Sequence, residues 1–136
     1  MAIYDDPFTH KIIGCAMKVH STLGRGFQEV IYQRALALEF EKLGIQFIRE
    51  HPIKIFYEND EVGTRRVDFF MQNEIMIELK AVHEIENEHF VQIMNYLKAS
   101  RLKLGLLLNF GSKSLQFKRI HNNQKIKRNN PSSSPS

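Results

Sequence analysis

The chain has 136 residues, 43% of them hydrophobic, with a formal net charge of +4 and a single cysteine, Cys15. That length fits one domain able to bury roughly two thirds of its unfolded surface, and a single cysteine excludes an intrachain disulfide framework. Three of the four net positive charges lie near the carboxyl terminus, on Lys125, Lys127 and Arg128, so the overall charge identifies no partner. Because an apolar run of about 18 residues and a signal-like start are both lacking, we expect a cytoplasmic protein without membrane association.

Two helices are predicted in the first third of the chain. Apolar residues recur at helical spacing over residues 9–23, and Gly24 and Gly26 interrupt the pattern. A second helix is expected over residues 27–43, with Gly44 ending it. Its apolar face should consist of Phe27, Ile31, Ala35, Leu36 and Leu38.

The middle of the chain is predicted to form an antiparallel meander of three strands. Residues 46–58 and 62–71 are rich in β-branched and aromatic side chains, and Asn59-Asp60 between them is typical of a turn. Residues 72–74 supply a second tight turn, after which residues 75–82 form the third strand.

A helix and two strands are predicted in the last third. Asn87 can cap a helix that ends near Arg101. Residues 102–110 are almost continuously aliphatic, which is typical of a strand buried on both faces, and residues 114–120 form a final strand. The predicted order of elements is therefore α-α-β-β-β-α-β-β.

The chain is predicted to divide into one domain and a tail. Residues 1–121 hold all of the predicted elements. Residues 122–136 are mostly Asn, Lys, Ser and Pro with almost no apolar side chains, so we expect a disordered polar and basic tail.

The strongest indication of function is a pair of charges inside the third predicted strand. Glu78 and Lys80 interrupt an apolar run and, two residues apart, project from the same face of the strand. Taking a charge out of water costs several kcal/mol per ion, so each needs a compensating partner. The candidate partners are each other, Asp68 in the preceding strand, or a metal ion.

Two interpretations of these residues remain open. Two carboxylates together with a substrate phosphate can hold Mg²⁺, which prefers oxygen ligands and keeps several waters. Hydrolysis of a phosphodiester bond would follow, with Lys80 orienting a water molecule or stabilising the developing negative charge. The alternative is a structural ion pair between Glu78 and Lys80, or one that involves Asp68.

Two motifs resemble those of a known group of enzymes. Asp68 followed by Glu78-Leu79-Lys80 resembles the signature of the PD-(D/E)XK nuclease superfamily, although Val67 stands where that signature has proline. Gly26-Phe27-Gln28-Glu29-Val30-Ile31-Tyr32 resembles the motif of its GxxExxY family. The resemblance covers roughly residues 12–120. It implies an α/β fold with a restriction-endonuclease-like core, in which helices flank a mixed central sheet.

A third motif follows on the predicted third helix. Gln92 and Tyr96, four residues apart on one helical face, resemble the Q-x-x-x-Y motif of RecB-like exonucleases. A partly exposed polar face is the alternative explanation for them. For Glu29, the alternative to a place in the site is simple compensation of the helix dipole.

The resemblance implies a nuclease that depends on Mg²⁺ or Mn²⁺ and hydrolyses nucleic acid, with DNA favoured over RNA. The metal ligands that it implies are Glu29, Asp68, Glu78 and Leu79. The catalytic residues that it implies are Asp68, Glu78, Lys80, Gln92 and Tyr96. Two alternatives are a catalytically silent nuclease-fold module that binds nucleic acid or protein, and a small dimeric junction resolvase. A homodimer is plausible in each case because an edge strand must be covered.

Overall fold

The computed structural model describes residues 6–123 of the chain. Within that range, no helix is long and apolar enough to cross a membrane. The disorder predicted for residues 122–136 falls almost entirely outside the described residues, and the cytoplasmic location stays a prediction.

The order of helices and strands in residues 6–123 is the predicted one. The elements are α1 (Pro7–Leu23), α2 (Glu29–Lys42), β1 (Ile48–Tyr57), β2 (Asp60–Met71), β3 (Ile75–Lys80), α3 (Asn87–Ser100), β4 (Leu104–Asn109) and β5 (Gln116–His121). Most boundaries differ from the predicted ones by only one or two residues, as expected where helix and strand ends fray.

The five strands form one mixed sheet in the order β1-β2-β3-β4-β5. The β1–β2, β2–β3 and β4–β5 pairs are antiparallel, which confirms the predicted meander, whereas β3 and β4 run parallel. All of β4 is buried. Helices on both faces of the sheet explain why β3 and β4 carry nearly continuous apolar sequence.

Helices cover the sheet on both faces and create two hydrophobic cores. In one core, α1 and α2 pack against Ile75, Ile77 and Leu79 of β3. In the other core, α3 packs against Met76 of the same strand. Since side chains alternate along a strand, Glu78 and Lys80 share the face of Met76, toward α3. Their common direction is as predicted.

The predicted apolar face of α2 was only partly correct, because Leu36 is buried and Ala35 packs against the core, but the helix is rotated from the predicted orientation. Phe27 and Leu38 are exposed, and Phe27 precedes the helix. The helix begins at Glu29, and the Tyr32 ring stacks on Phe110 in the core with 4.7 Å between centroids. The buried residues of α2 are Tyr32, Gln33, Leu36, Ala37 and Phe40. Burial of this large aromatic ring sets the rotation of the helix and turns Gln33 inward.

The cap of α3 also differs from the prediction. The N-cap residue is Glu86, and Asn87 is the first helical residue. Glu86 and His89 form a reciprocal capping box, in which the backbone N–H of Glu86 donates to Nδ1 of His89 at 2.9 Å. Two capped backbone donors outweigh the single bond that Asn87 would provide.

Candidate active site

Strand pairing is interrupted on both sides of Asp68. The β2–β3 ladder consists of three pairs and stops at Phe69 opposite Ile77. On the other side of β2, Glu50 and Asp68 form no pair, and Glu50 has a φ of +52°. Backbone N–H groups at this point are therefore free to donate hydrogen bonds to side chains, and the carboxylates of Asp68 and Glu78 accept them.

Each carboxylate binds the backbone of the opposite strand where the ladder ends. Oδ2 of Asp68 accepts a hydrogen bond from the N–H of Leu79 at 2.8 Å. Oε1 of Glu78 accepts from the N–H of Asp68 at 3.3 Å. This exchange holds the two carboxyl groups next to each other between β2 and β3.

The interruption also changes the direction of side chains along β2. Val67 and Phe69 would share a face in a regular strand, yet Val67 packs in the α3 core and Phe69 in the α1–α2 core. The Asp68 carboxyl lies at this change of face. It can therefore contact α2 on one side while its neighbour Glu78 faces α3 on the other.

Gln33 of α2 holds Asp68 and is a site residue that the sequence did not reveal. Its Nε2 donates to Oδ1 of Asp68 at 2.8 Å. The Gln33 residue is only 4% exposed, and its Oε1 has no hydrogen-bond partner among the described residues. A buried acceptor beside a carboxylate is unusual, because leaving it unsatisfied costs about 1–3 kcal/mol.

Glu78 is buried and forms an ion pair with a residue that was also not anticipated. Glu78 is 5% exposed, and its Oε2 lies 2.6 Å from Nη2 of Arg65 on β2. The pKa of Glu78 is raised to about 7. Burial is the main cause and the nearby Asp68 charge the second, while the Arg65 charge opposes the rise. The cation that pairs with Glu78 is thus Arg65, which was not among the candidate partners considered from the sequence.

Glu29 approaches the same site from the start of α2. Partial desolvation raises the pKa of its carboxyl, Lys80 lowers it, Asp68 raises it, and a hydrogen bond from the backbone of Ala81 lowers it. These partners place the Glu29 carboxylate beside the end of β3. Its position in the first turn of α2 also suits the helix dipole, so the two interpretations of Glu29 do not exclude each other.

The remaining predicted residues lie on α3 and β3. The ring of Tyr96 faces Arg65, with 5.0 Å between the guanidinium carbon and the ring centroid. Gln92 is exposed one turn before Tyr96. The Leu79 side chain is buried in the core, so this residue can offer only its backbone carbonyl to a metal. The catalytic and ligand roles assigned to all these residues stay predictions.

The tyrosine of the GxxExxY motif holds the loop that leads into α2. The Tyr32 hydroxyl donates to the carbonyl of Gly24 at 2.6 Å and accepts from the N–H of Phe27 at 3.2 Å. Gly26 has a φ of +115°, a conformation that side chains rarely tolerate. The motif therefore fixes the loop immediately before Glu29.

Comparison with models of protein families identifies the superfamily to which the chain belongs. The model of the PD-(D/E)XK nuclease superfamily matches residues 6–120. The chain belongs to this superfamily. No curated protein matches the chain. A solved structure, the crystal structure of SSO0001, is similar over 88% of this chain and 79% of its own, with 13% identity and a TM-score of 0.45.

PD-(D/E)XK nucleases generally use divalent metal ions, and the donors at this site fit one. Glu29, Asp68 and Glu78 are hard oxygen ligands, and Asp68 raises the pKa of both of the other carboxyls. A cation would relieve that repulsion. Residues 6–123 nevertheless hold no group of three or more ligands already arranged around a metal position.

The raised pKa of Glu78 predicts that the protein loses stability as pH rises. The folded state holds this proton up to about pH 7, whereas the unfolded chain releases it near 4.5. Stability should therefore fall between these pH values, by about 3 kcal/mol in total, and level off above them. Urea unfolding from pH 4.5 to 8.5 measures this decline.

Glu78→Gln is the matched variant because it keeps the shape of the side chain and cannot ionise. We expect its stability to exceed that of the wild type at pH 8 and to lack this part of the pH dependence. Other titrating groups are common to both proteins and cancel in the comparison. Parallel stability curves for the two proteins would contradict the prediction.

Proposed function

We propose that the chain is a Mg²⁺- or Mn²⁺-dependent nuclease that hydrolyses phosphodiester bonds in nucleic acid, with DNA as the favoured substrate. The observation that carries this proposal is the convergence of Asp68 and Glu78 where β2 and β3 separate. Lys80 stands on the same face of β3 as Glu78 and interacts electrostatically with it and with Glu29. Superfamily membership supports nuclease chemistry at this site.

We further propose membership of the GxxExxY family within the superfamily. The support is local: Gly26 adopts a positive φ, and Tyr32 clamps the loop on both sides of it. Glu29 follows directly and interacts with Lys80 and Asp68. Gly26 and Tyr32 thus fix the shape of the loop before α2, and this loop holds Glu29 near the end of β3.

In this proposal Glu29, Asp68, Glu78 and the carbonyl of Leu79 hold the metal ion. The ion supplies charge stabilisation for the phosphoryl oxygens and acidifies a water molecule. Gln33 keeps the Asp68 carboxyl in place through its Nε2, at 2.8 Å.

Lys80 and α3 supply the remaining groups. The Lys80 ammonium orients the attacking water or stabilises negative charge on the phosphate. Tyr96 supports the site through Arg65, and Gln92, exposed on the same helix, can reach substrate phosphate.

One observation favours the alternative of a catalytically silent module. Arg65 already neutralises Glu78 at 2.6 Å, and residues 6–123 hold no ready-made cluster of metal ligands. A site adapted to binding alone would keep such an internal ion pair permanently. Binding of nucleic acid that survives both chelation of metals and Lys80→Ala would favour this alternative.

The test is cleavage of labelled single-stranded, double-stranded and branched DNA and of RNA, with Mg²⁺, Mn²⁺ or a chelator. We expect cleavage that requires the metal. Preference for branched DNA by a dimer in solution would identify the junction-resolvase form of the proposal. A folded wild type that neither binds metal in calorimetry nor cleaves any substrate would contradict the nuclease proposal.

Two variants control this experiment. Glu78→Ala is expected to lose metal binding and cleavage without unfolding, and unchanged metal binding by this variant in calorimetry would contradict the proposal. Glu74→Ala removes an exposed carboxylate from the turn that precedes β3. It should behave like the wild type, since its side chain lies at the opposite end of the strand from Lys80.

A further inference from the structure

Arg65 has an incomplete set of partners at the centre of the site. Its Nη2 lies 2.6 Å from Oε2 of Glu78, and its guanidinium faces the Tyr96 ring at 5.0 Å. Its Nε is buried and has no hydrogen-bond partner among residues 6–123. The side chain as a whole is 31% exposed, so one side of the group faces solvent. The fold thus holds a cation that can still donate further hydrogen bonds.

We propose that Arg65 is a phosphate-binding residue that competes with the metal ion for Glu78. Before the metal binds, Arg65 is the counter-cation of Glu78. When the metal takes Glu78, the guanidinium is released and donates to a phosphate oxygen of the nucleic acid. This inference rests on the proposed nuclease function and assigns to that site a residue outside its predicted set.

The competition follows from the distances at one oxygen atom. Mg²⁺ binds its oxygen ligands at about 2.0–2.1 Å, and Nη2 of Arg65 already occupies Oε2 of Glu78 at 2.6 Å. Two cations so close to the same atom repel each other. The other oxygen of Glu78 accepts from the backbone N–H of Asp68. The metal therefore binds at the expense of the Arg65 bond.

The released guanidinium remains close to Glu78 and Tyr96. Tyr96 binds its face by a cation–π contact, which limits how far Arg65 moves. The planar fork of arginine matches two phosphate oxygens. The Nε of Arg65, which is buried and has no partner among the described residues while Arg65 binds Glu78, becomes available as one of the two donors once the guanidinium is released. The same geometry explains why Tyr96, which contacts no carboxylate here, belongs to the site.

Metal affinity is the first test, measured by calorimetry with Mg²⁺ without nucleic acid from pH 7 to 9. The affinities compared are the limiting values for ionised Glu78, because loss of Arg65 also raises the pKa of that carboxyl. Arg65→Met should bind the ion about tenfold more tightly than the wild type, because the competing cation is gone. Arg66→Met is the matched control, since Arg66 is the exposed neighbour and lies 3.6 Å from Glu50. Its affinity should equal that of the wild type. An unchanged or weaker affinity in Arg65→Met would overturn the inference.

Nucleic-acid binding is the second test. Here the Arg65→Met substitution should weaken binding, whereas it should strengthen binding of the metal. In a Lys80→Met background, which keeps labelled DNA intact, Arg65→Met should weaken binding in the presence of Mn²⁺. The slope of log affinity against log salt concentration should decrease by about one, as expected for one lost phosphate contact. An unchanged slope would leave Arg65 as a structural ion-pair partner and overturn the proposal.

A second variant serves if Arg65→Met does not fold. Arg65→Gln removes the same charge but keeps a polar side chain of similar length beside Glu78, so metal affinity should again rise several-fold. No rise would also overturn the inference. If the wild type binds no metal, the proposed function itself is contradicted. If the wild type binds metal and Arg65→Met binds it with the same affinity, only this inference is contradicted.

Discussion

Lys80→Met is expected to slow cleavage by about 10³-fold without weakening metal binding, the loss typical of removing one group that stabilises transition-state charge. Lys80 ends β3 on the face of Glu78, and its carbonyl accepts from the N–H of Phe110 at 2.8 Å. The buried core thus fixes the backbone from which the ammonium extends. Single-turnover cleavage at saturating metal measures the chemical step directly.

The comparison with metal affinity separates two roles for Lys80. As a catalytic cation, Lys80 acts on the substrate, so its removal leaves metal binding equal or slightly tighter. If Lys80 is instead a structural counter-ion of Glu29 and Glu78, its removal would lower the stability of the protein. The folded fraction would then cleave at a rate comparable to that of the wild type. Lys98→Met, on the exposed side of α3, is the control for loss of one lysine charge.

The parts of the fold that could be predicted are those set by local pattern. The nearly continuous apolar sequence of β3 and β4 follows from burial by helices on both faces of the sheet. The common face of Glu78 and Lys80 required only a regular strand. Asp68 was only one of several candidate partners for them, and the resemblance then favoured it, because pairing between strands is not a local property.

Arg65 could not be predicted because its partners depend on irregular structure. In a regular strand Arg65 and Asp68, three residues apart, would point to opposite faces. Both take part in one site because pairing fails between Asp68 and Glu50, where a residue other than glycine has a positive φ. No sequence pattern signals that conformation, which for such residues is uncommon.

Gln33 was missed for a different reason, the rotation of α2. The apolar residues of that helix are compatible with more than one buried face, and the predicted face left Gln33 outside. Packing of Tyr32 on Phe110 selects the other rotation. One signal was present in the sequence: Gln33 lies four residues after Glu29, so the two share a helical face. If Glu29 points toward the site, Gln33 does as well.

The segment that follows Lys80 is held by a buried polar side chain. Asn109 is fully buried, and its Oδ1 accepts from the N–H groups of Val82 and Gly111, each at 3.0 Å. Its Nδ2 donates to the carbonyl of Val82 at 3.0 Å and to Gln116 at 2.9 Å. These bonds fix the exit of β3 against β4, and thereby the direction of Lys80.

Gly111→Ala is expected to destabilise the protein by more than about 3 kcal/mol, because close backbone contact leaves no space for a methyl group. A Cβ at this position would lie 2.4 Å from the carbonyl oxygen of Val82 and 2.5 Å from the carbonyl carbon of Ala81. Unlike a flexible side chain, this backbone cannot move without breaking the bonds to Asn109. Gly14→Ala, on an exposed face of α1 with free space, should instead stabilise by about 0.5–1 kcal/mol. Urea unfolding measures both, and a Gly111→Ala protein as stable as the wild type would show that the exit of β3 tolerates displacement.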